Sequence, residues 1–244
     1  MANITEVPVT YKDASGTALA GFITFDEAKP GKRPGVIVLH EWWGITKHVR
    51  DEARFFASLG YTAFVADLYA GKTADNPGDA GALMNALMGS AETVRSRFDA
   101  AREELARHAT VDPARLAASG YCMGGKIALD MARAGVDLKA VASFHGNLTP
   151  RETAQRGKLK AKVIALNGEA DPFVSADSVA AFKKEMEAAG ADYKFLDYPG
   201  AVHAFTNPEA TEKGKKFNLP LAYDAEADRQ SKGEAAKWFA AAFS

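Results

Sequence analysis

Two segments near the start of the chain, 6–12 and 19–25, alternate apolar and polar positions on either side of a turn at 13–17. A period of two predicts an antiparallel pair with one buried face. Further on the pattern changes to short unbroken apolar runs at 35–39 (GVIVL), 62–66 (TAFVA), 115–119 (RLAAS), 139–144 (KAVASF), 162–166 (KVIAL) and 193–197 (YKFLD). Such runs suit strands buried on both faces, as in a parallel sheet. Between them apolar residues recur at helical spacing. Val49, Ala53 and Phe56 form one stripe stopped by Gly60. Val94, Phe98, Ala101 and Leu105 form another, with Ser90 as its N-cap, and Val179, Phe182 and Met186 a third, closed by Gly190. A last helix is predicted over roughly 225–242. Strands alternating with helices predict a mostly parallel α/β sheet with helices on both faces. The segment 71–89 is the least patterned and reads as a pocket-shaping loop with a short helix.

Composition narrows this picture. The 244 residues are 47% hydrophobic and 25% charged, enough for one large core and consistent with a single domain over 1–244. The net charge of −1 gives no electrostatic footprint for nucleic acid or an anionic membrane. No apolar run has the length of a membrane span or a signal peptide. With one cysteine, Cys122, no intrachain disulfide can form. A cytoplasmic location is the expectation, and a single chain defines no oligomer.

In open α/β sheets ligands bind beyond the carboxyl ends of the strands, so chemistry is expected just after each apolar run. Gly120-Tyr121-Cys122-Met123-Gly124-Gly125 follows one run and opens a predicted helix. This is a nucleophile-elbow pattern with Cys in place of Ser. The bland reading of a lone cysteine, a small buried hydrophobe, is outweighed by the flanking glycines. Asp171, in Gly168-Glu169-Ala170-Asp171-Pro172-Phe173, follows the 162–166 run and can orient an imidazole; alone it would be a turn residue. His203 follows the 193–197 run in a loop, where bases tend to sit. The order Cys122, Asp171, His203 is nucleophile, acid, base, the chain order of α/β-hydrolases. His40-Glu41-Trp42-Trp43-Gly44 follows the 35–39 run. In that fold this loop gives the second oxyanion amide, so the backbone N–H groups of Trp42 and Met123 are the expected donors. Glu41 is an unusual residue there, or else a solvated carboxylate. His145 follows the 139–144 run and is placed in the pocket. His48 and His108 are expected to be solvated helix residues. No cluster has metal-ligand spacing, no nucleotide motif is present, and no cofactor is implied.

These motifs resemble the dienelactone hydrolase family of the α/β-hydrolase superfold over nearly the whole chain. GYCMGG around Cys122, HEWWG around Glu41, and the loops of Asp171 and His203 carry the likeness. The resemblance implies Cys122 as nucleophile, His203 as general base and then acid, and Asp171 as the group that holds the imidazole. It implies for Glu41 the family's extra carboxylate, which contacts the thiol in the resting enzyme until substrate binding turns the thiol toward the imidazole. One departure stands out. The family's dienelactone-cleaving members hold the substrate carboxylate with two arginines, yet 71–89 has only Lys72, and Ala204, Phe205, Thr206 and Asn207 follow His203. Lys does not reproduce a bidentate guanidinium clamp. Trp43, Tyr69, Tyr121, Phe173 and Phe205, with Trp42, are instead expected to line an apolar pocket for a neutral substrate.

The sequence therefore points to a cysteine-dependent hydrolase of small carboxylic esters or lactones, acting through a thioester. Two relatives of this chemistry stay open: hydrolysis of neutral phosphotriesters and acyl transfer. From another class, a non-catalytic ligand-binding protein on the same fold stays open as well.

Overall fold

The computed structural model describes residues 3–244. The chain forms two compact units, Met1–Ala118 and Ser119–Ser244. In the first, β1 (Ile4–Lys12) and β2 (Ala18–Asp26) pair antiparallel, with Val7 opposite Ile23. The Asp13 carboxylate closes their turn by accepting from the backbone N–H of Ser15 and of Thr17. β3 (Arg33–Leu39) runs parallel to β4 (Thr62–Ala66), from Gly35 opposite Thr62 to Leu39 opposite Ala66. β2 joins β4 antiparallel. Every residue of β4 is buried, as its unbroken apolar run predicts. α1 (Lys47–Ser58) buries Val49, Ala53 and Phe56, and Gly60 follows it at φ +90°. α3 (Ala91–Arg107) buries Val94, Phe98, Ala101 and Leu105, and the Ser90 side chain accepts from the Thr93 N–H.

The segment 71–89 is more regular than its sequence suggests. It holds α2 (Pro77–Met88), with the Asn76 side chain accepting from the Asp79 N–H and Pro77 at the first helical position. A cap of this kind contributes about 1 kcal/mol, and Pro at that position loses no helical hydrogen bond.

β5 (Val111–Tyr121) runs from the first unit into the second and leads into α4 (Met123–Arg133). In the second unit, β6 (Ala140–Phe144), β7 (Lys162–Gly168) and β8 (Tyr193–Tyr198) are parallel. α5 (Ala176–Ala189) ends at Gly190 in the left-handed conformation, the expected stop signal. α6 (Ala210–Phe217) is a short helix that the hydrophobic pattern does not announce. α7 (Ala225–Phe243) is capped by Asp224 and packs on β6 and β7. The strand order is β1-β2-β4-β3-β5-β6-β7-β8, an α/β fold with an eight-stranded, mostly parallel sheet. No helix among the described residues is long and apolar enough to cross a membrane.

Candidate active site

The second unit gathers its chemistry by register. Phe144 pairs with Leu166 and Gly168 with Tyr198, so the loops after β6, β7 and β8 leave the same edge of the sheet. Those loops carry His145, Asp171 and His203. Cys122 joins them from the turn between β5 and α4.

Cys122 is part-buried and sits at φ +53°, ψ −115°. A non-glycine residue held there costs on the order of 1–3 kcal/mol, and such strain collects at functional sites. The glycines make room for it. A Cβ on Gly120 would lie 2.1 Å from the Gly124 carbonyl oxygen, and one on Gly125 would lie 2.7 Å from Ser143 Oγ. Met123 is the first residue of α4, and first-turn amides of a helix point outward with positive potential.

Asp171 is fully enclosed. Its Oδ1 accepts from the Phe173 N–H at 2.8 Å, and its Oδ2 lies 2.7 Å from His203 Nδ1. The two loops are also joined directly, since the Ala170 N–H donates to the Ala201 carbonyl at 3.0 Å. The His203 side chain is hydrogen-bonded to Cys122 as well, and with Nδ1 engaged by Asp171, Nε2 is the nitrogen left for the thiol. Burial alone would push the His203 imidazole down. The electrostatic pull of Cys122, the bonds to Asp171 and Cys122, and the Asp171 charge outweigh it and raise the group to about 10.

The aromatic residues divide. Phe173 is 52% exposed and stands edge-on to His203, with centroids 5.0 Å apart. Tyr121, His145 and Phe205 have no surface open to solvent. These three therefore back the site and do not line it, a correction to the sequence expectation. His145 is engaged at both ring nitrogens, by the Cys122 N–H at 3.2 Å and by Thr206 Oγ1 at 2.9 Å.

In the first unit the loop after β3 is equally well held. His40 is buried, with Nδ1 donating to the Glu41 carbonyl at 2.6 Å and Nε2 accepting from the Leu68 N–H at 3.3 Å. The Tyr69 hydroxyl donates to the Trp42 carbonyl at 3.2 Å, and the Ala74 N–H donates to that of Trp43 at 3.0 Å. Tyr69 and Trp43 are themselves buried. Glu41 is buried and not solvated; its Oε2 lies 3.4 Å from His48 Nδ1, while Glu52 Oε1 lies 3.2 Å from His48 Nε2. The expectation that His48 is solvated is thus overturned. The missed signal was the spacing of His48, Glu52 and Phe56, every fourth residue on the face of α1 that also buries Val49 and Ala53. Burial alone would push His48 down, but the charge and hydrogen bond of Glu41, then those of Glu52, raise it to about 10. A cleft of about 350 Å³ elsewhere in this unit, lined by Phe25, Lys32, Arg33 and Thr110 among others, holds none of these residues.

The fold is that of an α/β-hydrolase. The comparisons with known proteins then give the family. The dienelactone hydrolase family model matches residues 19–243, and the chain belongs to that family, a family of hydrolases. The solved structure of a dienelactone hydrolase-like promiscuous phosphotriesterase, P91, from metagenomic libraries is 32% identical with a TM-score of 0.92, all of both chains being covered. The protein usf of Aquifex pyrophilus is 34% identical over 71% of this chain and 77% of its own. A Yersinia pestis protein provisionally named carboxymethylenebutenolidase is 30% identical over 79% of this chain and 76% of its own.

Proposed function

We propose that this protein hydrolyses small, neutral carboxylic esters or lactones through a covalent thioester on Cys122. One observation carries the reading: His203 is hydrogen-bonded to both Asp171 and Cys122, and Cys122 is held at a strained turn opening a helix. The thiolate adds to the substrate carbonyl. The Met123 N–H donates to the developing oxyanion, as the family resemblance also implies for the N–H of Trp42, and each donor of this kind is worth about 3 kcal/mol. The imidazolium of His203 gives its proton to the leaving oxygen, and the neutral ring then takes a proton from the water that attacks the thioester. Asp171 holds the ring through both steps. Glu41 is paired with His48, and the family resemblance assigns it the extra carboxylate. Phe173, exposed beside His203, offers an apolar contact to the substrate. A thioester dissolved by water returns the enzyme unchanged, so no cofactor enters the cycle.

A second reading, attack on a neutral phosphotriester by the same groups, is favoured by the likeness to P91, whose own description is of a promiscuous phosphotriesterase. The test is a burst experiment with an activated aryl ester while intact-protein mass is followed. An acyl adduct on Cys122, absent from Cys122→Ala, is the expected result. Turnover with no adduct overturns the thioester. Faster turnover of a matched aryl phosphotriester than of the carboxylic ester would move the assignment to phosphorus.

A further inference from the structure

Among the described residues, five other than glycine have positive φ, and three of them belong to this corner of the second unit: Cys122 at +53°, His145 at +40° and Ala204, next to His203, at +60°. Strained turns persist only where the surroundings over-determine them. The nucleophile, the loop after β6 and the loop of the base therefore each need a restraint. One side chain touches all three. The Cys122 N–H donates to the Phe144 carbonyl at 3.0 Å and also to His145 Nδ1 at 3.2 Å. A backbone N–H can only donate, so Nδ1 must be the unprotonated nitrogen. The ring proton then sits on Nε2 and is given to Thr206 Oγ1, 2.9 Å away on the His203 loop. The His145 N–H donates to the Leu166 carbonyl at 2.8 Å, which pins the ring's own backbone to β7. Its ring also packs edge-on against His203 and Phe205, each at 5.3 Å between centroids.

We infer that His145 is a positioning residue: a neutral imidazole that ties the backbone of Cys122 to the Thr206 end of the His203 loop and so fixes the distance between thiol and base. It carries no proton in the proposed cycle. The consequence for catalysis rests on the proposed role of Cys122 and His203; the brace itself does not. Misplacing a reacting pair by about 1 Å can cost on the order of 100-fold, and a brace shared by both partners is where such an error would arise.

The experiment compares wild type with His145→Phe, His145→Asn and Thr206→Val. Phe keeps the ring and removes both hydrogen bonds. Asn places an acceptor where Nδ1 was and gives up the reach to Thr206. Val keeps the shape of Thr206 without its hydroxyl. Active sites are titrated by burst amplitude, so that partial unfolding lowers the amplitude and not the rate per site. His145→Phe is expected to acylate about 100-fold more slowly per site, with KM changed less than about threefold. His145→Asn and Thr206→Val are expected to fall near tenfold, and Thr206→Val in the His145→Phe background to add nothing, as members of one unit do. Acylation within twofold of wild type in a folded His145→Phe, or a loss confined to KM, overturns the inference. If His145→Phe does not fold, the other two single variants decide it by the same twofold limit. Alkylation of Cys122 by iodoacetamide is read in parallel. If wild type gives no acyl adduct, the hydrolase reading fails, while slower alkylation in the variants supports the brace and an unchanged rate rejects it.

Discussion

Each unit of this molecule buries an imidazole between an acid and a second partner. In the first unit His48 lies between Glu41 and Glu52; in the second His203 lies between Asp171 and Cys122. Both are raised to about 10 against the pull of burial. A raised imidazole therefore does not by itself mark a catalytic group. What differs is the third group and the access. His48 is closed in by two carboxylates, and its side chain is 1% exposed. His203 faces a thiol at a strained turn, and the ring beside it, Phe173, is open to solvent. The first arrangement stores charge and the second can spend it on a bond.

If that contrast is right, the two sites respond oppositely to mutation. Cys122→Ala is expected to lower turnover of an activated ester by about 10⁴-fold or more, as loss of a nucleophile does, with unfolding by urea little changed. Asp171→Asn follows, at about 10³-fold to 10⁴-fold, because the ring then settles with its proton on the wrong nitrogen. A loss below tenfold in either variant, measured by initial rates, would break the assignment of the second site.

His48→Leu should do the reverse and act mainly on stability. It leaves Glu41 and Glu52 buried without their cation, and breaking a buried pair costs about 3–5 kcal/mol. Urea unfolding measures this directly. A change below about 1 kcal/mol would mean that His48 is not holding the two carboxylates. His48→Gln can still donate to one of them and is expected to lose less.

His48 predicts how stability depends on pH. Its imidazole is raised from 6.5 in the unfolded chain to about 10 in the fold. Between those values the folded state holds a proton that the unfolded state has released, so the stability it contributes is fully present below about pH 6.5 and is lost as pH rises toward 10. The slope from this group is at most about 1.4 kcal/mol per pH unit. His48→Gln should remove that share, and a slope between pH 7 and 10 unchanged by the substitution would contradict the raised value.

Legibility in the sequence followed how local each signal was. The parallel strands were readable because burial on both faces leaves an unbroken apolar run, as in TAFVA, which is β4 to the residue. α2 was read mostly as loop because it buries only Ala80 and Leu87, too few to show a helical period. α6 was missed because only Ala210 and Gly214 of its polar sequence are buried. Cys122, Asp171 and His203 stand out in the sequence because each follows a strand in a glycine-marked turn. The partners of His145 were not, because Cys122 and Thr206 lie 23 and 61 residues away and only the fold brings them to one ring. His48 was misjudged for a different reason: a polar residue on a helix was taken for an outward-facing one, although its neighbour Val49 marked that face as buried.

The finest test of the comparison is Glu52→Gln. Glu52 is the second carboxylate of the buried set, on α1 with His48, while Glu41 belongs to the loop that the family resemblance assigns to the active site. The amide keeps the volume of the carboxylate and can still accept from His48 Nε2, so the hydrogen bond survives and only the charge is lost. The imidazolium keeps Glu41, whose influence on it is the larger. Stability at pH 7 should change by no more than about 1 kcal/mol, the worth of one hydrogen bond's strengthening by charge. The fall of stability with pH should begin at lower pH, since one of the two charges that raise His48 is gone. Turnover should stay within about twofold if His48 and Glu52 only hold charge in place. A tenfold loss of turnover without loss of stability would show instead that the buried set of the first unit takes part in the chemistry, and the division between a storing and a spending imidazole would have to be given up.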